Sequence, residues 1–210
     1  MKVLVACEFS GIVRDAFAVR GHDAWSCDYR DTERPGKHFQ CSVLSHDIVN
    51  RGWDLMIAHP DCTYLTVSGA RWMSEEWRQE AQLSALFFVK SLWKFPIERI
   101  AIENPVGKLS SLWRGPDQIV EPYHFGDPYK KATCLWLKNL PPLLPTNNLG
   151  GANRPVGKSR QVATGQRTEA GHIQDWQMQW RNNGDNPSGG SSSRSRRITK
   201  AILQITQEKN

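Results

Sequence analysis

The sequence predicts an α/β fold built on an open, largely parallel sheet, with crevices at the C-terminal ends of its strands. Three observations carry that expectation. Short, continuously apolar runs, "KVLVAC" (2–7), "DLMIAHP" (54–60) and "IERIAIENP" (97–105), have the character of strands buried on both faces. Stretches with helical spacing separate them, as βαβ units require. Polar residues of reactive type, Asp28, Cys62 and Glu103 among them, follow the strand ends rather than the strand middles.

The elements follow in order. After "KVLVAC" comes "EFSGIVRDAFAVRGH", in which Ser10 is a helix N-cap, Ile12, Ala16 and Val19 share one face, and Gly21 supplies the left-handed stop. "DAWSCD" is a second short strand that closes on Asp28. Beyond "ERPGKH" the chain reaches "CSVLSHD", a further strand-like stretch with Asp47 just past it, and then "WDLMIAHP". "SEEWRQEAQLSALFFVKSLWKF" (74–95) is the clearest helix. Ser74 caps it, Glu75 and Glu76 suit the positive end of its dipole, and Trp77, Ala81, Ala85, Phe88 and Leu92 form an apolar stripe. Pro96 ends it, and "IERIAIENP" then delivers Glu103 and Asn104 at a strand edge.

Residues 1–146 read as one catalytic core, long enough to bury a sizeable interior. From Asn147 to Ser193 Gly, Asn, Ser, Arg and Gln dominate, which marks a loop-rich insert. Residues 194–210 include "SRRITKAILQIT", whose Ile198, Ala201, Ile202 and Ile205 recur on one side of a final amphipathic helix packing back on the core.

The formal net charge is +6, from 27 Lys+Arg against 21 Asp+Glu, and leans toward an anionic partner such as nucleic acid. The five cysteines, an odd number with no C-x-x-C pair and no zinc spacing, suggest a reduced chain without a structural metal. No stretch approaches a membrane span or a signal segment, so a soluble, cytoplasmic protein is expected.

The reactive residues have specific uses. The tight "CEFSG" turn would expose backbone N–H groups at a helix N-terminus, and Asp28 could hold ribose hydroxyls, the geometry of a nucleoside-cofactor site. Asp47 could accept from an adenine amino group or simply cap a helix. Cys7 and Cys27, inside strands, read as small core residues. Cys62 stands at a sheet edge where a thiolate could reach a ligand. Glu103 follows "RIAI"; an apolar setting favours its protonated form, which could act as an acid, while pairing with Arg99 or a Lys is the structural alternative.

In this order, "EFSG", "HDI", "DCTYLTVSG", "ENP" and "FGDPYKKAT" resemble the motifs of the DNA cytosine-5 methyltransferases, most closely the small versions carried by phages and prophages, over roughly residues 3 to 137. The resemblance implies a Rossmann-like S-adenosylmethionine-dependent methyltransferase sheet with helices on both faces and a short loop-rich insert. It implies S-adenosylmethionine as cofactor, held by Glu8, Phe9, Ser10, Gly11, Asp28, Asp47 and Pro60, with Phe9 packing on the adenine. It implies DNA as partner, modified within a restriction-modification setting. Cys62 would be the nucleophile, Glu103 the acid that protonates the pyrimidine, and Asn104 and Lys131 their companions. Asp61, Thr63, Tyr64, Ser68, Arg71, Tyr129, Lys130 and Thr133 would line the substrate side, with Trp72 or Tyr64 filling the gap left by a flipped base.

The sequence departs from the family pattern at Asp61, where the family has proline, at Thr63, where it has glutamine, and at Lys131 and Thr133, where it has arginines. A carboxylate at 61 would oppose ionisation of the neighbouring thiol. Two other readings compete: an amino-methyltransferase in which Asp61 rather than Cys62 is indispensable, and a non-catalytic DNA-binding relative.

Overall fold

A computed structural model describes residues 1–66, 75–128 and 130–150. Seven strands form one sheet: β1 (Lys2–Ala6), β2 (Asp23–Asp28), β3 (His38–Gln40), β4 (Leu55–Ala58), β5 (Arg99–Pro105), β6 (Gln118–Val120) and β7 (Thr133–Lys138). Their order is β3-β2-β1-β4-β5-β7-β6. The first five are parallel, and β7 runs antiparallel to both β5 and β6. The expectation of a largely parallel α/β sheet therefore holds for the half that carries the strand-end residues. The chain moves outward from β1 to β3 and returns on the other side as β4, so the order reverses between β1 and β4, where an open α/β sheet has its crevice.

Alternation along each strand feeds two cores. Val3, Val5, Leu55, Ile57 and Ala101 face helix α1 (Ile12–Ala18) through its Val13 and Phe17. Leu4, Ala6, Met56, Ala58, Ile100 and Ile102 face helix α3 (Glu76–Trp93) through Leu86, Val89 and Leu92, beside the short helix α2 (His46–Val49) with Ile48. Helices thus cover both faces, and each fully buried Leu, Ile or Phe contributes roughly 1.5–3 kcal/mol. The short helix α4 (Leu109–Leu112) follows β5, and a 3-10 turn at Pro122–His124 follows β6.

Four local expectations need correction. The third strand is His38–Gln40, ahead of "CSVLSHD", because Phe39 stacks on Trp25 with centroids 4.5 Å apart and draws that segment to β2. Helix α1 starts from Gly11 in the left-handed region, φ 69°, so Ser10 lies outside it, and Val19 is exposed past its end. Cys7 lies beyond β1 at φ 58°, half-buried, rather than within the strand. The buried face of α3 is Arg78, Gln82, Leu86, Val89 and Leu92, whereas Trp77 is 52% exposed. The helix is turned by about one residue, or 100°, because Arg78 and Gln82 reach inward to backbone carbonyls. Ser74 lies outside the described residues, as do 151–210, which hold most of the expected insert and the C-terminal helix.

The loop after β4 is pressed against the segment after β5. Lys108 N donates to Leu65 O at 2.7 Å, Thr66 bridges Gly107, and a Cβ on Gly107 would collide with the Leu65 carbonyl. Gly107→Ala should cost about 1–3 kcal/mol by overpacking in urea denaturation, while Gly115→Ala, with nothing within 4 Å of its Cβ position, should stay within about 0.5 kcal/mol of the native protein.

Candidate active site

The turn from β1 into α1 is built around a buried carboxylate. Glu8 Oε1 accepts from Val13 N at 2.9 Å and Ser10 Oγ at 2.8 Å, and Oε2 accepts from Arg14 N at 3.5 Å. Ser10 Oγ in turn accepts from Ile12 N at 3.3 Å. The backbone N–H groups expected to lie open at this helix end are therefore already answered from within. A phosphate has no seat there. Glu8, Ser10 and Gly11 are buried and shape the turn from below.

One residue that sequence reasoning missed governs the neighbouring wall. Arg14 is 1% exposed, and its guanidinium donates to Asp15 Oδ1, Ser26 Oγ, Thr32 Oγ1, Arg34 O and Pro35 O at 2.8–3.2 Å. Gly11 and Gly36 make room for it, since a Cβ on either would stand 2.5–2.6 Å from Nη2. The loop so held returns to the first turn. Glu33 N donates to Phe9 O at 2.9 Å, and the Arg30 guanidinium lies 4.8 Å from the Phe9 ring centroid. Asp28 ends β2 beside this loop, buried, accepting from Arg30 N at 2.9 Å. Burial raises its pKa above the ordinary 3.8. Cys7 lies close by; burial first, then the charge of Asp28, holds its thiol well above the usual range. Asp47 stands apart on α2, its carboxylate 89% exposed.

A second group collects at the ends of β4 and β5. Ala58 pairs with Ile102, and one step further His59 meets Glu103, with Nδ1 and Oε2 3.4 Å apart. Asn104 Nδ2 donates to Pro60 O at 3.1 Å, tying "ENP" to "HPDC". Cys62 is half-buried and opens a turn, its carbonyl accepting from Leu65 N and Thr66 N at 3.0 Å each. Asp61 is engaged by Thr63, whose N and Oγ1 donate to Oδ1 at 3.2 and 2.8 Å. Its charge reaches Cys7 and Tyr64, where it adds to the effect of burial in raising both. From α3, Arg78 Nη2 donates to Thr63 O at 3.4 Å and Gln82 Nε2 to Tyr64 O at 3.0 Å. These inward polar groups of the helix, also missed from sequence, fix the loop that carries Cys62.

The reversed strand β7 begins where β5 ends. Pro105 pairs with Thr133 and Asn104 with Cys134, so Lys131 and Thr133 arrive at the same edge as Glu103. Lys131 N donates to Glu121 Oε2 at 2.7 Å, and Thr133 Oγ1 to Lys131 O at 3.1 Å. Lys130 is half-buried beside them. Ser68, Arg71, Trp72 and Tyr129 lie outside the described residues. Among the described residues no cluster of three His, Cys, Asp or Glu could hold a metal, and no helix is long and apolar enough to cross a membrane.

No family model and no curated protein matches the chain. Among the solved structures that match is one from E. coli described as a candidate DNA modification methyltransferase encoded within a prophage. It is 16% identical with a TM-score of 0.40, over 64% of this chain and 45% of that one. The chain thus spans less than half the length of that neighbour. What the fold and site define by themselves is a mixed α/β domain with reactive side chains at the C-terminal edge of its sheet.

The buried Asp28 supplies a test of what that edge is for. Because its folded-state pKa is raised, the ionised carboxylate costs stability at neutral pH, and the cost vanishes once pH falls below the unfolded value. Asp28→Asn should therefore raise the urea midpoint at pH 7, by an amount that shrinks as pH falls toward 3.8, while weakening binding of any nucleoside ligand in calorimetry.

Proposed function

We propose that this chain is an S-adenosylmethionine-dependent DNA methyltransferase that modifies C5 of cytosine through a covalent Cys62 adduct. The observation that carries the reading is the hydrogen bond from Asn104 to Pro60 O. It joins the motif holding the candidate nucleophile to the motif holding the candidate acid, which are distant in sequence. The strand order supports it too, since β3-β2-β1-β4-β5 is the doubly wound half that binds nucleosides at its switch point.

The residues present fit the cofactor. With Glu8 filling the end of α1, a cofactor carrying phosphates is disfavoured. A nucleoside bearing a cationic sulfonium suits a sheet edge that offers the Phe9 ring and the Asp28 carboxylate, with the charges of Asp28 and Asp61 both acting on the Cys7 thiol. S-adenosylmethionine supplies an electrophilic methyl group. Phe9 would pack on its adenine once the Arg30 guanidinium moves off the ring, and Asp28 would accept from the ribose.

The chain's own residues do the rest. Cytosine C5 is too electron-poor to attack a methyl group unaided. The Cys62 thiolate forms a bond to C6 while Glu103 delivers a proton to N3, and the ring becomes an enamine nucleophilic at C5. After methylation the C5 proton passes to solvent water, the Cys62–C6 bond breaks with its electron pair returning to sulfur, and N3 returns its proton to Glu103. Flipping the base from a duplex costs a few kcal/mol, offset by phosphate contacts for which Lys130, Lys131 and Arg71 are candidates, with Tyr64 or Trp72 as wedge. The +6 charge favours such contacts.

Nucleoside mass spectrometry on DNA from methylase-free cells expressing the chain should show 5-methylcytosine, lost with Cys62→Ala and retained in part with Asp61→Ala. Appearance of N4-methylcytosine or N6-methyladenine, with Asp61→Ala as the inactivating change, would transfer the assignment to an amino-methyltransferase. DNA binding with no modified base would point to a non-catalytic relative. Phe9→Ala should weaken S-adenosylmethionine binding about tenfold, equivalent to roughly 1.4 kcal/mol of stacking.

A further inference from the structure

We propose that His59 is a positioning residue for Glu103, an inference that rests on the methyltransferase reading above and adds to it a group for which the resemblance gives no role. The two side chains are neighbours by register at the ends of β4 and β5, and both are withdrawn from solvent, at 11% and 2% side-chain exposure. His59 Nδ1 lies 3.4 Å from Glu103 Oε2. His59 N also donates to Ala6 O at 3.0 Å, which carries the β1 ladder one step past the strand and fixes the residue's backbone.

The pair is not what stability alone would select. Among the described residues, His59 Nε2 is buried without a hydrogen-bond partner, and so is Asn104 Oδ1 in the next rank. A buried polar atom left unmade is a cost to the fold. Two of them beside a buried carboxyl mark a polar cluster kept for another use. A leucine at 59 would remove the first of those costs, and the acid would lose its neighbour.

That neighbour matters when the acid reacts. In the protonated state Glu103 carries its proton on Oε1 while His59 Nδ1–H donates to Oε2. The proton passes from Oε1 to N3 as the Cys62–C6 bond forms, leaving a buried carboxylate. Nδ1–H then stabilises that charge without a change in the protonation of the imidazole. When N3 returns the proton, the starting state is restored. The hydrogen bond also selects one rotamer of the carboxyl group, and displacement of a reacting group by about 1 Å can cost on the order of a hundredfold in rate.

The test is a double-mutant cycle on the full chain. Methyl transfer from labelled S-adenosylmethionine to DNA is measured for the native protein, His59→Ala, Glu103→Gln and the double variant, as kcat per cofactor-binding site counted by titration with S-adenosylhomocysteine. Counting sites removes the effect of a misfolded fraction. His59→Ala should lower kcat per site about 10- to 100-fold with KM for DNA little changed. Glu103→Gln should lower it about 10²- to 10⁴-fold, and the double variant should match Glu103→Gln alone. His59→Gln, which keeps an N–H donor, should recover most of the loss, and His59→Met replaces the alanine variant if the latter does not fold. Losses that multiply in the double variant, or a single-variant rate within twofold of native, would overturn the role of His59 while leaving the methyltransferase reading intact. A native chain that methylates no DNA overturns both.

Discussion

The Glu8 carboxylate at the head of α1 is the interaction on which the rest of the crevice depends. A buried carboxylate costs several kcal/mol unless donors surround it, and here they come from the first turn of the helix it precedes. The arrangement holds Cys7 and Gly11 at positive φ, directs Arg14 into the interior, and so places the loop of Thr32, Arg34 and Pro35 that Arg14 gathers. That loop returns to Phe9 through the amide of Glu33. The β1–β2 side of the candidate nucleoside pocket is thus set by one carboxyl group and one guanidinium, linked through the backbone amide of Arg14, which donates to Glu8 Oε2.

The sheet does for the second half of the site what Glu8 does for the first. Cys27, Ala6, Ala58 and Ile102 form one rank across β2, β1, β4 and β5. The rank one step nearer the C-terminal edge is Asp28, Cys7, His59 and Glu103, an acid, a thiol, an imidazole and an acid. Parallel pairing makes this possible, because four strands that point the same way release their next residues on one side. The reversal of β7 completes it: an antiparallel strand enters at the edge where its neighbour leaves, which puts Thr133 and Lys131 within the same zone.

This also explains what could be read from the sequence. The strands β1, β4 and β5 are continuous apolar runs, and burial on both faces leaves no other composition. The helix over 76–93 was legible as a helix, yet its rotation was not. The apolar stripe through Trp77 and Phe88 competes with Arg78 and Gln82, whose partners are carbonyls of Thr63 and Tyr64 that no sequence window contains. Arg14 reads as an ordinary surface arginine until the loop it holds is folded over it. The resemblance of "EFSG" implies a cofactor role for Glu8; the hydrogen bonds it makes in the fold go to Ser10 and the amides of the helix it precedes, which the sequence does not reveal. Asp61 stands next to Cys62 in sequence; in the fold its carboxylate also accepts from Thr63, and its charge contributes to raising Cys7 and Tyr64, which no sequence window places beside it. Adjacency along a chain fixes distance only where the local turn is known.

The distribution of charge gives the two halves a common logic. The chain as a whole is cationic, but the crevice between β1, β2 and β4 holds Asp28 and Asp61 around a protonated Cys7 thiol. Burial works against the ionised form of Asp28, so this carboxylate weakens the fold at neutral pH and needs a reason to stay. Under the proposed function a positively charged nucleoside would supply one, since its attraction to a carboxylate in a low-dielectric setting is larger than the same pair would have in water. Phosphate-bearing nucleotides gain nothing there, since the N–H groups at the start of α1 are already taken by Glu8. Under the proposed function, an acidic crevice for the cationic cofactor and the side chains of Lys130 and Lys131 for the nucleic acid backbone would keep two ligands of opposite charge from competing for one place, as a transfer reaction between them requires.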